Sequence, residues 1–343
     1  MQPFPPRPGW SDTTKRRANT VPGRLEATVS ILNAVLGDHL RSRSNALEIP
    51  FGLYHRNRPL PCDRDAIARA HPAATGKLCV LVHGLAANER VWSFPGDHRA
   101  SYGALLQRGL GYTPFQVRYN SGLHVSDNGE ALARLLDALL RCHPVEVREI
   151  VLVGHSMGGL VVRSACELAR ARRWPWLTRV THAFYLASPH RGAPLERLGN
   201  VVAWALRTIG TAHTALIADV IDVRSAGIKD LRFANLVPAD WEGRDADALL
   251  ENTCTTVPLA PGVAHHFGVG GLGARERHPL TLLLGDAMVS CASAAARGAA
   301  RGPGARQDVH FFPGVGHLAL AHHRDVYAWI EACCSGSRPE EGP

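Results

Sequence analysis

The sequence predicts an α/β protein built on a mostly parallel central sheet with helices on both faces. Three observations carry that reading. Short apolar runs recur at 78–83, 114–119, 149–154, 180–188, 263–270 and 309–314, continuous rather than alternating, as in strands buried on both faces. Helical patterns lie between them at 99–109, 129–142, 157–172 and 319–332, the arrangement of crossovers between parallel strands. The 343 residues are 45% apolar and 20% charged, enough for a large core and incompatible with a disordered or fibrous chain.

Taken in order, residues 1–22 are punctuated by proline and read as a flexible tail. Residues 23–74 form a helix and an extension; Leu25, Val29, Leu32, Val35 and Leu36 fall at helical spacing between Arg24 and Leu40, the pattern of a packing helix. The α/β unit then occupies 75–335, followed by a short tail at 336–343. Within it, residues 190–255 exceed what one crossover needs and read as an inserted helical cap or lid, because structureless loops of that length are rare in compact domains.

Net charge is +8, but the excess is spread over polar stretches such as Arg170, Arg172 and Arg173, so a solvated basic surface is expected and no nucleic-acid partner. The first residues carry no apolar signal core, and the stretch from Val201 to Ile221 is broken by Arg207, Gly210, His213 and Asp219. A cytoplasmic protein without a membrane span is the expectation. Eight cysteines stand without CxxC spacing and read as free thiols, with no metal site implied.

The chemistry centres on Gly154-His155-Ser156-Met157-Gly158, a G-x-S-x-G pentapeptide directly after an apolar strand and directly before a helix. A serine at such a turn projects from the strand end, and glycines on either side remove side chains that would collide where strand and helix cross. Serine is a weak nucleophile at neutral pH, so a base and a carboxylate to orient it are required. His317, in a glycine-flanked loop after the last apolar run, is the expected base. His310 falls within that run, and His322 and His323 within the following helix, as structural or surface residues. Asp286, after LTLLLG, is the expected carboxylate, giving the chain order Ser, Asp, His. Asp308 precedes the last strand and belongs to the wrong end of the sheet, and Asp219 and Asp222 lie in the insertion. For the oxyanion, main-chain N–H groups of Met157 and of Leu85, in the His83-Gly84-Leu85 loop, are expected.

At VHGL, GHSMGG, LASPHRGAPLERLGN, GDAMVSCASA and PGVGHLAL the chain resembles α/β-hydrolases of the lipase and esterase type, in particular bacterial triacylglycerol-lipase-like and GPI inositol-deacylase-like esterases, over roughly residues 75–332. The resemblance implies the α/β-hydrolase fold and carboxylic ester hydrolysis without a metal or organic cofactor, with Ser156, Asp286 and His317 in these roles. The chain departs from secreted, calcium-dependent lipases in showing no secretion signal and no calcium-site carboxylate next to His317, so an intracellular esterase is the expectation. Trp204, Leu206, Ile209 and Leu216 of the insertion are expected to wall the acyl pocket. Expected partners are a small-molecule or lipid ester and transient contact of the lid with a lipid surface, with no specific protein partner. An acyltransferase or thioesterase using the same residues, and a non-catalytic hydrolase-like binding protein, remain open alternatives.

Overall fold

A computed structural model describes residues 23–193, 225–243, 254–273, 286, 288–296, 300 and 302–336. The elements in chain order are α1 (Gly23–Ser42), β1 (Gly52–His55), β2 (Arg58–Leu60), α2 (Arg64–Ala70), β3 (Lys77–Val82), β4 (Ser93–Phe94), β5 (Asp97–Ser101) and α3 (Tyr102–Leu110). They continue with β6 (Thr113–Arg118), α4 (Val125–Cys142), β7 (Glu149–His155), α5 (Met157–Arg172), β8 (Val180–Leu186), α6 (Ala226–Phe233), β9 (Ala264–Gly271), α7 (Cys291–Ala294), β10 (Arg306–Pro313) and α8 (Arg324–Ser335).

Eight strands form one sheet in the order β10-β9-β8-β7-β3-β6-β1-β2. The strands from β10 to β6 are mutually parallel, and β1 joins β6 and β2 antiparallel. The six apolar runs of the sequence are the six parallel strands. Their middle members β3 and β7 are almost wholly buried, as strands covered on both faces must be. One core cluster packs α4 and α5 onto the sheet through Leu136, Leu139, Leu160 and Val161. The opposite cluster packs α3 and α8 through Leu106, Trp329 and Ile330. No helix among the described residues is long and apolar enough to cross a membrane.

The hairpin of β1 and β2 extends the sheet into residues expected only to form an extension. Its two-residue turn, Arg56-Asn57, has positive φ at both positions (50° and 63°), the type I′ geometry that suits strand twist but here lacks glycine. Two boundaries also differ from expectation. Residues 99–101 belong to β5, so α3 begins at Tyr102, capped by Ser101 Oγ accepting from the Ala104 N–H. The helix expected over 319–332 is divided: a 3₁₀ turn at Ala319–Ala321 precedes α8, and His322 and His323 fall between them rather than within a helix.

Helix α1 spans the expected residues, but its most buried positions include polar Ser30 and Asn33. It is seated by close backbone approach. A Cβ on Gly37 would lie 1.9 Å from Asn120 Oδ1, and one on Gly122 would lie 2.1 Å from the Asn33 carbonyl. Asn120 Nδ2 donates to the Gly37 carbonyl (2.9 Å), and Asn33 Nδ2 to that of Leu47 (2.8 Å). The described part of the long insertion is also fixed to the body. Buried Asp230 of α6 accepts from the Val125 N–H (2.7 Å) and pairs with His124 Nδ1 (3.0 Å), and Ser225 Oγ donates to the Ala34 carbonyl of α1 (2.6 Å).

Candidate active site

The loops after β3, β7, β9 and β10 leave the same, carboxyl edge of the sheet, the edge at which ligands bind in open α/β sheets. Ser156 ends β7 with φ 53° and ψ −125°, in the positive-φ region that a side chain rarely occupies. The surrounding glycines make this turn fit. A Cβ on Gly154 would lie 2.5 Å from the Gly159 Cα, and one on Gly158 would lie 2.1 Å from the Val82 carbonyl oxygen. The Ser156 N–H donates to the Leu186 carbonyl of β8 (2.8 Å), which holds the strained residue in place. Among the described residues Ser156 Oγ has no hydrogen-bond partner.

His317 follows β10 and Asp286 follows β9. The two are joined side chain to side chain, His317 Nδ1 lying 2.9 Å from Asp286 Oδ2, and main chain to main chain, the His317 N–H donating to the Asp286 carbonyl at 3.0 Å. The other carboxylate oxygen of Asp286 accepts from the N–H groups of Met288 (2.9 Å) and Val289 (2.7 Å). Asp286 is 1% exposed, so each of its oxygens is occupied by protein donors rather than water. The Nδ1–H is fixed on a carboxylate, leaving Nε2 as the ring nitrogen available for proton exchange.

His155 braces the same loop. Its Nε2–H donates to the main-chain carbonyl of His317 (2.9 Å), and the two rings lie 5.0 Å apart. Burial, reinforced by the neighbouring His317, lowers the His155 pKa to about 3, so the ring is neutral, and its buried Nδ1 has no partner among the described residues. The loop after β3 is braced in turn by His83. Tyr119 donates to the His83 carbonyl (2.7 Å) and stacks on its ring at 4.4 Å, and His83 Nδ1 donates to the Gly84 carbonyl (2.9 Å). A Cβ on Gly84 would lie 2.8 Å from the Cβ of Ser156, so glycine is what lets this loop pass beside the serine. Leu85 follows it, and Met157 opens the first turn of α5 as its first residue, where the N–H has no intrahelical acceptor.

Ser156, His317 and Leu85 open onto one cavity of about 330 Å³. Its remaining wall is mostly apolar, with Val91, Leu231, Met288, Val289 and Leu318 prominent. Asp286 stands behind His317, out of the cavity. The expected wall residues Trp204, Leu206, Ile209 and Leu216 lie outside the described residues.

Several contributors were not anticipated. Ala27 brings α1 to the cavity, and Glu26 beside it pairs with Arg90 on the same wall (3.3 Å). His322 also lines the cavity, its Nδ1 donating to the Val91 carbonyl (3.0 Å). His155 was visible in the sequence as the second residue of the pentapeptide; nothing local marked Ala27 or His322.

Among the described residues, His266, Asp308 and Cys333 bring ligand-type atoms within 4.8 Å of one another. This group sits toward the amino-terminal ends of β9 and β10, away from the cavity, and His266 Nδ1 is already 2.5 Å from Asp308 Oδ1.

The sequence profile described as the alpha/beta hydrolase family matches residues 79–329. No curated protein sequence matches. Solved structures similar to this chain include the mature form of a Bacillus licheniformis lipase, at 16% identity over 76% of this chain and 91% of that one, with a TM-score of 0.45. Another is a thermophilic esterase of Thermogutta terrifontis, at 17% identity over 77% and 91%, TM-score 0.41. A third is Aspergillus fumigatus lipase B, at 11% identity over 82% and 60%, TM-score 0.47.

Proposed function

The chain belongs to the alpha/beta hydrolase family, and from that premise we propose that it is a serine hydrolase of carboxylic esters with apolar acyl groups. The observation that carries the reading is one juxtaposition. A serine in a strained strand-to-helix turn and a histidine already bonded to a buried carboxylate share a single cavity.

In the proposed reaction Ser156 Oγ attacks the ester carbonyl while His317 Nε2 takes its proton. Asp286 holds the Nδ1–H and stabilises the imidazolium that forms. The N–H groups of Leu85 and Met157 receive the negative charge on the carbonyl oxygen, each worth on the order of 3 kcal/mol in the transition state. His317 then protonates the departing alcohol, and water, activated by the same imidazole, releases the acid from Ser156. Apolar walls and a volume near the lower end of the roughly 300–1,000 Å³ range of ligand sites favour acyl chains of modest length.

The test is covalent labelling with a fluorophosphonate together with hydrolysis of nitrophenyl esters from acetate to palmitate. The expected result is stoichiometric labelling at Ser156, loss of both labelling and hydrolysis in Ser156→Ala, and highest kcat/KM at intermediate chain length. Hydrolysis that survives in Ser156→Ala overturns the reading.

A further inference from the structure

The cysteines expected to be free include one pair that the fold brings together. Cys62, between β2 and α2, and Cys142, the last residue of α4, are separated by 80 residues in sequence, yet their sulfurs lie 3.2 Å apart. This is nearer than two sulfurs approach in ordinary van der Waals contact and about an ångström from bonding distance. Both residues are half-buried, so small oxidants reach them, whereas Cys79, Cys166 and Cys291 are enclosed in the core. Neighbouring structure is fixed: Asp63 Oδ1 caps α2 by accepting from the Ala66 N–H (2.8 Å), and Arg64 of α2 donates to the Pro144 carbonyl just beyond α4 (2.9 Å).

We propose that Cys62 and Cys142 are a redox modification site, joined as a cystine by peroxide-type oxidants and reopened by thiols. Either sulfur can donate the S–H in this contact, and the bond favours loss of one proton from the pair. The sulfur that ionises is the attacking thiolate. It displaces hydroxide from hydrogen peroxide to give a sulfenic acid. The other thiol then loses its proton and displaces the sulfenic oxygen, which leaves as water. Two thiols and one peroxide become one disulfide and two waters, with two electrons passing from sulfur to oxygen.

The bond has a structural consequence. Among the described residues strand β2 is the outer edge of the sheet and is paired only with β1, so the hairpin is the part of the sheet most easily opened. A cystine at Cys62 anchors the chain leaving that edge to α4 and closes a long loop, which restricts the unfolded chain.

The experiment compares the full chain before and after stoichiometric hydrogen peroxide, by thiol titration under denaturing conditions and by peptide mapping. The eight thiols are expected to fall by two, with a peptide linking Cys62 to Cys142, and the unfolding midpoint to rise by roughly 3–6 °C. Hydrogen exchange in 52–60 should slow, and dithiothreitol should reverse all of these. Cys62→Ser and Cys142→Ser should each abolish the linked peptide and the stabilisation. Recovery of the two residues as separate alkylated or over-oxidised peptides from wild-type protein overturns the proposal. So does an equal rise in midpoint in Cys62→Ser. The mapping needs no variant, so a misfolded mutant does not obscure the result, and neither readout depends on ester hydrolysis.

Discussion

The Nε2–H of His155 is bonded to the main-chain carbonyl of His317 at 2.9 Å, so the residue preceding the proposed nucleophile anchors the loop that carries the proposed base. The two loops leave β7 and β10, which are not neighbours in the sheet. This bond therefore fixes a distance that strand pairing alone does not. His155→Phe keeps a buried ring but removes the donor, and kcat is expected to fall roughly 10- to 100-fold with KM little changed, as for a misplacement of the reacting groups. His155→Gln, which restores an N–H donor, should recover part of the loss. If the phenylalanine variant has full kcat, His155 serves only packing.

Asp286→Asn tests the other support of the imidazole. One oxygen remains to accept from Met288 and Val289, so the loop keeps its shape, but the group facing His317 Nδ1 becomes an amide. An amide N–H there selects the wrong tautomer, and kcat is expected to drop on the order of 10³–10⁴-fold. Steady-state kinetics alongside thermal unfolding separates this from misfolding: a kcat within a few-fold of wild type would exclude Asp286 from the relay.

How much of this was legible in the sequence depends on the range over which each feature is encoded. Ser156 sits in a local pattern, because the strain at one residue must be relieved by glycines two positions away on each side. His317 and Asp286 were legible through chain order, each in a loop after an apolar run. The role of α1 was not, because its seat depends on Gly37 meeting Asn120 and Gly122 from a distant loop. That contact makes polar Ser30 and Asn33 part of the buried face, against the apolar periodicity. The β1 and β2 hairpin escaped notice for a related reason: its strands are short and its turn uses Arg56 and Asn57 in place of glycine. Cys62 and Cys142 carry no spacing signal at all, since only the packed fold makes them neighbours.

The glycine beside the serine gives a prediction about space. In Gly84→Ala the new methyl would stand 2.8 Å from the Ser156 Cβ and 3.2 Å from the His155 carbonyl oxygen. Either the serine turn or the loop bearing the Leu85 N–H must shift, and overpacking of this kind costs about 1–3 kcal/mol. Fluorophosphonate labelling is expected to slow at least tenfold while the unfolding midpoint drops by only several degrees. Gly158→Ala, whose methyl would meet the Val82 and His83 carbonyls at 2.1 and 2.4 Å, strikes backbone on both sides and should destabilise the fold itself. Equal labelling rates in Gly84→Ala and wild type would show that the loop is not held against the serine.

Buried histidines make the fold sensitive to mild acid. Burial holds His71, His83, His182 and His265 at about 4 and His155 at about 3, against an ordinary value of 6.5. Between these values the unfolded chain binds protons that the folded chain refuses, so unfolding takes up protons and stability rises with pH. Stability is therefore full above about pH 7 and declines as the pH falls from about 6.5 toward 4, and for His155 toward 3, below which these groups add no further loss. A tenfold change in proton affinity is about 1.4 kcal/mol, so several such groups together weigh heavily against a typical net stability of about 5–15 kcal/mol. Urea midpoints measured at about pH 7.5, 6 and 4.5 should fall steadily. In His71→Phe, which keeps the ring packing against Phe115 and removes one ionising group, the fall should be shallower. A midpoint constant across that window would mean that these imidazoles take up protons in the folded protein as readily as in the unfolded one.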